Sequence, residues 1–327
     1  TTILPNADAL FLTAIDKYGH ELWRWTFPVD KLNQTNEVFS PLSGKATYSE
    51  TENELTVKAK NHTFIFSKRD GQLKGVSVNN HKISFANGPR FIGARRADRS
   101  LDQFYNHDDE KAKEKDRTYS EFPDAAVFTK LEVKEDGGNL IVTANYKLGN
   151  LDKAQWTINP NGEAALDYTY NFSGVVDLIG ISFDYPEDQV ISKRWLGAGP
   201  YRVWQNRIHG TQYDVWENDY NDPIPGETFT YPEFKGYFDS VSWMNIRTKE
   251  GTISLTNETP DSYIGVYQPR DGRDRLLYTL PESGISVLDV IPPVRNKVNS
   301  TDLCGPSSQP KWVNGPQTGR IIFRFME

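Results

Sequence analysis

The residues best suited to chemistry gather between positions 193 and 243. Trp195-Leu196-Gly197-Ala198-Gly199-Pro200 is followed by Trp204-Gln205-Asn206-Arg207 and His209, then by Tyr231-Pro232-Glu233-Phe234-Lys235-Gly236-Tyr237 and Val241-Ser242-Trp243. An arginine on such a loop can fork to a pair of sugar hydroxyls or to a carboxylate. Aromatic rings can stack on the apolar C–H face of a sugar. Trp312 belongs to the same class of candidate, as do Arg95, Arg96 and Asp98. Each also has a plain structural reading. Trp204, Arg207 and His209 can hold their own loop together, Arg95, Arg96 and Asp98 can form an internal ion-pair cluster, and Trp312 can pack over a sheet edge. Trp195 and Trp243 read as core or sheet-packing residues.

Several chemistries are excluded by residue type and spacing. His20, His62, His81, His107 and His209 show no His-x-x-x-His pattern, so a zinc site is not expected. No Gly-x-Ser-x-Gly occurs, and Cys304 stands in a Gly/Pro loop with no evident base. A single cysteine also rules out an internal disulfide framework. Residues 108–115 are charged all round, which suits a solvated excursion or helix between strands; the intervening lysines weaken the alternative of an acidic calcium loop. No cofactor and no metal ion is expected. The triplets at Asn33, Asn61, Asn171, Asn257 and Asn299 fit a glycosylation pattern that chance also produces, and glycosylation is not expected.

The elements that must position the candidates are strands. Period-2 runs occur at residues 9–14, 54–58, 62–66, 140–146 and 165–170, separated by turn signals such as Arg69-Asp70-Gly71, Gly137-Gly138, Asn161-Gly162 and Glu250-Gly251. The short spacing favours hairpins over helical crossovers, and hence antiparallel sheets. The expected fold class is all-β: a large antiparallel two-sheet sandwich. Aromatic residues make up 13% of the chain, which suits sheet faces. A net charge of −7 with interleaved signs speaks against a nucleic-acid partner. No apolar run approaches the roughly 20 residues that span a bilayer, and the opening residues lack the regions of a leader, so a soluble chain without a membrane partner is expected.

Residues 29–45, with Pro41, Gly44 and a polar stretch, read as a linker. Before them, residues 1–28 hold only two strand-like runs, 8–15 and 21–27, and two strands bury no core of their own. They read as the closing hairpin of a preceding sandwich domain. Residues 46–327 form the main β domain.

The ordered motifs of residues 195–243 resemble the carboxyl-terminal domain of β-galactosidases in glycoside hydrolase family 2, the segment sometimes called the small chain. That family carries W-x-G-x-G-P on a strand, then an aromatic-rich loop with an Arg, then a Tyr/Pro segment with a Gly. Upstream, Asn87-Gly88-Pro89-Arg90-Phe91-Ile92-Gly93-Ala94-Arg95-Arg96-Ala97-Asp98 is similar to the family's GP-x-x-x-x-W-R-A-P-T-D-N-D element. It departs from it at Ile92-Gly93 and at Ala97-Asp98-Arg99. The opening hairpin is similar to the last strands of the domain that precedes the small chain.

The resemblance implies a galactose-mutarotase-like supersandwich and a role in carbohydrate degradation. It also implies that the catalytic carboxylates lie elsewhere. Retaining hydrolysis needs two carboxyl groups about 5 Å apart, which this family carries on a barrel of roughly 250 residues. The expected partners are therefore carbohydrate and the barrel and sandwich domains of a parent chain, in a periplasmic or extracellular enzyme. The small-chain domain walls part of the sugar pocket with an aromatic residue near its carboxyl end. Trp312, expected on a loop just before a last strand at residues 320–325, takes that place. Two other functions remain open: an aldose 1-epimerase, for which His107 and His209 are the candidate acids, and a free-standing carbohydrate-binding module.

Overall fold

The computed structural model describes residues 7–29, 39, 43–96, 119–219, 236–266, 281, 283–294 and 305–327. Among them there is no α-helix, and every strand pair is antiparallel. A nine-stranded sheet runs from edge to edge as β10 (Val127–Asp136), β11 (Asn139–Lys147), β12 (Leu151–Ile158), β13 (Ala164–Val176), β22 (Lys311–Met326), β19 (Gly251–Asn257), β18 (Trp243–Thr248), β15 (Val190–Gly199) and β16 (Gln212–Asp219). An eleven-stranded sheet faces it. Its path is β17 (Phe238–Asp239), β20 (Tyr263–Val266), β21 (Ile285–Val290), β14 (Leu178–Asp184), β8 (Ala86–Arg96), β6 (Leu73–Val78), β5 (His62–Ser67), β4 (Glu54–Ala59) and β3 (Thr47–Glu50), with β7 (His81–Ile83) beside β6 and β9 (Tyr119–Glu121) beside β8.

The period-2 runs become strands because alternate side chains can be buried together. In β12 the residues Leu151, Ala154, Trp156 and Ile158 face inward, while Lys153, Gln155 and Thr157 face out. Turn glycines close the hairpins: Gly71 and Gly162 take φ of 73° and 89°, values a β-carbon disfavours. The core between the sheets is aromatic at its centre. Trp156 meets Phe66, Phe183 and Phe323 at ring separations of 6.1, 6.0 and 6.0 Å, and Phe85 stacks on Phe183 at 4.5 Å. A smaller apolar cluster, including Ile92, Leu178, Val203, Trp204, Tyr237 and Ile291, covers the far face of the eleven-stranded sheet.

The last strand differs from expectation. It begins at Lys311, so Trp312 lies within a strand and not on a loop before it. Gly315 and Pro316 read as turn residues, yet they pair with Phe172 and Asn171 of β13. They are tolerated because β19 pairs only with residues 321–326 of this strand, which leaves the first half an edge among the described residues, where a missing N–H costs no ladder bond.

Residues 8–15 and 21–27 form β1 (Ala9–Ile15) and β2 (Glu21–Pro28), a separate two-stranded sheet lying against β16. Its turn is tied by Asp16, whose Oδ1 accepts the Tyr18 and His20 amides at 2.8 and 2.9 Å. Most of the linker stretch and the charged stretch at 108–115 lie outside the described residues. Within the former, Phe39 accepts a 2.8 Å bond from Asn139 Nδ2 on β11.

Candidate functional site

The Gly199-Pro200 motif ends β15 and releases the chain into the loop carrying Trp204, Arg207 and His209. That loop is tied down on three sides. Val203 and Tyr237 exchange amide bonds at 2.7 and 2.8 Å. Gln205 Nε2 donates to the Gln309 carbonyl at 2.8 Å. Asn206 Nδ2 donates to the Val294 carbonyl at 2.7 Å and to Ser308 Oγ at 2.9 Å, while its Oδ1 accepts the Val294 amide at 2.9 Å. The loop is thereby joined to the segment that leads into β22 and Trp312.

Trp312 itself is 68% exposed, opposite Val175 of β13. Asp177, two residues beyond Val175, accepts the Arg96 amide at 2.7 Å and donates its own amide to Ala94 at 3.0 Å. Arg95 is half-buried and Arg96 is buried beside it. The candidates from three distant stretches, Arg95, the 204–209 loop and Trp312, therefore converge on one end of the sandwich. Arg207 and His209 are exposed there. Asp98 lies outside the described residues.

Of the two roles open to Trp204, sugar contact and holding its own loop, the structure supports the second. At 2% exposure its ring is sealed in the outer apolar cluster, edge-on to Tyr237 at 5.6 Å. A ring so covered cannot stack on a ligand, and it anchors the loop that carries Arg207 and His209. For the epimerase reading, His107 lies outside the described residues, and His209 stands on an exposed loop instead of a sheet. No group of three His, Cys, Asp or Glu side chains among the described residues could hold a metal ion.

The sequence reading missed a polar group inside the sandwich. Tyr170 of β13 donates its hydroxyl to Asp289 Oδ2 on β21, across the space between the sheets, and Tyr168 stacks beside Tyr170 at 6.5 Å. Burial pushes the Asp289 carboxyl above its ordinary value of 3.8, although the Tyr170 hydrogen bond works in the opposite direction. The signal was present in Ile285-Ser286-Val287-Leu288-Asp289-Val290, where Asp289 shares a period-2 face with Ile285 and Val287. Because the folded carboxyl holds its proton more tightly than the unfolded one, this group favours the fold below the ordinary carboxyl range. That contribution is lost as pH rises through the elevated folded value. Asp289→Asn, which keeps a partner for Tyr170, is expected to flatten the fall in stability above pH 4. Urea midpoints of both forms from pH 4.5 to 7.5 check this, and parallel curves would refute it.

The family model of the β-galactosidase small chain matches residues 58–284, a span holding β8, the Gly199-Pro200 loop and Tyr237. The chain belongs to the β-galactosidase small-chain family. Trp312 lies beyond the matched span. No curated protein matches the chain in sequence. Solved structures similar to this small-chain protein include a galactose 1-epimerase from Lactobacillus acidophilus NCFM, at 10% identity and a TM-score of 0.47, covering 87% of this chain and 99% of the other. An aldose epimerase homologue from C. elegans has 10% identity and a TM-score of 0.40, over 86% and 99% of the two chains. A galactose mutarotase-like protein from Lactobacillus casei has 11% identity and a TM-score of 0.35, over the same shares.

Proposed function

We propose that this chain is the non-catalytic carboxyl-terminal part of a β-galactosidase-like hydrolase of glycoside hydrolase family 2, supplying structure and one wall of the sugar pocket. Membership of the small-chain family carries the reading. On it, Trp312, Arg207, His209 and Arg95 are the sugar-facing residues, and the two carboxylates of a retaining mechanism come from a barrel domain of the parent enzyme.

The β1–β2 ribbon supports the same reading. Its register puts Leu10, Leu12 and Ala14 opposite Phe27, Trp25 and Trp23, so one face is wholly apolar. Leu12, Trp23 and Phe27 are 57, 48 and 50% exposed. A two-stranded ribbon is marginal in water, and an apolar face of this kind marks an interface. In this proposal it completes a neighbouring sandwich domain of the parent.

The purified chain is expected to release no sugar from a chromogenic β-galactoside, and to associate with a separately produced polypeptide carrying the sandwich and barrel domains of the parent enzyme. Replacing Trp23, Trp25 and Phe27 together by Thr is expected to weaken that association at least tenfold while leaving the main domain's unfolding transition in place. Sugar release by the isolated chain, or association indifferent to the triple substitution, would count against the proposal.

A further inference from the structure

We propose that a cleft at the split in the eleven-stranded sheet, where β8 is left by β6 and not yet joined by β9, is a saccharide-binding site separate from the end marked by Trp312. The inference borrows from the proposed function only the choice of ligand class. Its origin is a split in the sheet. On one side β8 is paired by β14 along residues 86–94. On the other, β6 meets it only at Gly88, and β9 joins only from Ala94. Between these points residues 90–93 border an opening.

The chain leaving β9 crosses this opening and is fixed there. Phe122 donates its amide to the Gly93 carbonyl at 2.8 Å, and Asp124 Oδ1 accepts the amides of Ala126 and Asn150 at 3.1 and 2.9 Å. What remains is a cleft of about 850 Å³ walled by Arg90, Glu121, Phe122, Asp124 and Asp184. A hollow of about 360 Å³ adjoins it and shares Asp184. Alternation along β8 turns the peptide groups of Phe91 to the same side as the Gly93 carbonyl, toward the opening.

The size is that of a small-ligand site, and the chemistry suits a neutral pyranose. Such a ring presents hydroxyls that both donate and accept, together with an apolar C–H face. Arg90 is held in place by Asp184 and by the Asn87 carbonyl at 3.3 Å, while Asp184 also accepts Asn87 Nδ2 at 2.7 Å. That gives a preset donor and acceptor. Glu121 adds an exposed carboxylate on the same face, because it pairs with Ala94 in step with Ile92 and Arg90. Phe122, the next residue, turns its ring the other way, inward against Phe172 of β13 at 5.1 Å, and so fixes the chain that carries Glu121. A cation is disfavoured, since Arg90 lies among the carboxylates and no three ligating side chains converge among the described residues.

The test is amide chemical-shift titration of the full chain with galactose, lactose and a galactotetraose, using sorbitol as an acyclic control. Shifts centred on residues 90–93 and 121–124 are expected with at least one cyclic sugar and not with sorbitol. Glu121→Ala combined with Arg90→Gln should weaken that binding at least tenfold, and Trp312→Ala should leave it unchanged; unaltered thermal unfolding shows that the variants fold. No shifts at these residues, or binding removed by Trp312→Ala and indifferent to the double substitution, overturns the site. Either result leaves the association with the barrel domains, measured separately, as it stands.

Discussion

Trp156→Ala is expected to cost about 3–5 kcal/mol of stability, the range for removing a large aromatic from a packed core. Domains of ordinary size have only about 5–15 kcal/mol in total, so the variant should unfold at much lower urea or barely fold at 25 °C. The effect is large because Trp156 is where the two sheets touch. It pairs with Val142 and Leu166 within its own sheet and meets Phe66 and Phe183 from the other. The indole N–H is buried without a hydrogen-bond partner among the described residues. Replacement by Phe removes that unpaired donor along with some volume, so Trp156→Phe should cost much less than Trp156→Ala. Equal losses in urea titrations followed by circular dichroism would show that the sheets do not close on this residue.

What the sequence disclosed and what it hid follow from the range of the interactions. Strands β4, β5, β11 and β13 were legible because burial on one face imposes a period of two on neighbouring residues. The joining of β13 to β22 was not legible, since Ala164 pairs with Phe323 across most of the domain and no local pattern records a partner that remote. The candidate site shares this limit. The types at Arg95, Arg207 and Trp312 suggested sugar contact, but only the Gln205, Asn206 and Asp177 hydrogen bonds bring their stretches together. The choice between the two readings of Trp204 was hidden for the same reason, because a loop tryptophan can face a ligand or seal its own loop, and only the fold-back of the loop over the sheet selects the second.

Two glycine substitutions separate close strand contact from mere smallness. Gly180 lies on β14, whose residues are buried on both faces, toward the core through Ile179 and Ile181 and toward the outer cluster through Leu178. A β-carbon at Gly180 would stand 2.1 Å from the Val287 carbonyl oxygen and 2.7 Å from the Leu288 Cα. These are backbone atoms of the adjoining strand β21, and they cannot turn aside as the tip of a side chain can. Gly180→Ala must therefore push β21 away from β14, carrying Asp289 with it, and should cost about 3 kcal/mol, the upper end for overpacking. Gly75 on β6 is also buried in a strand, yet a β-carbon there would meet nothing within 4 Å. With no contact to disturb and less freedom in the unfolded chain, Gly75→Ala should leave stability unchanged or raise it by up to about 1 kcal/mol. Opposite signs in paired urea titrations are the expected result. If both alanines lower stability alike, the cost belongs to losing a strand glycine in general, and the close passage of β14 against β21 is not what Gly180 provides.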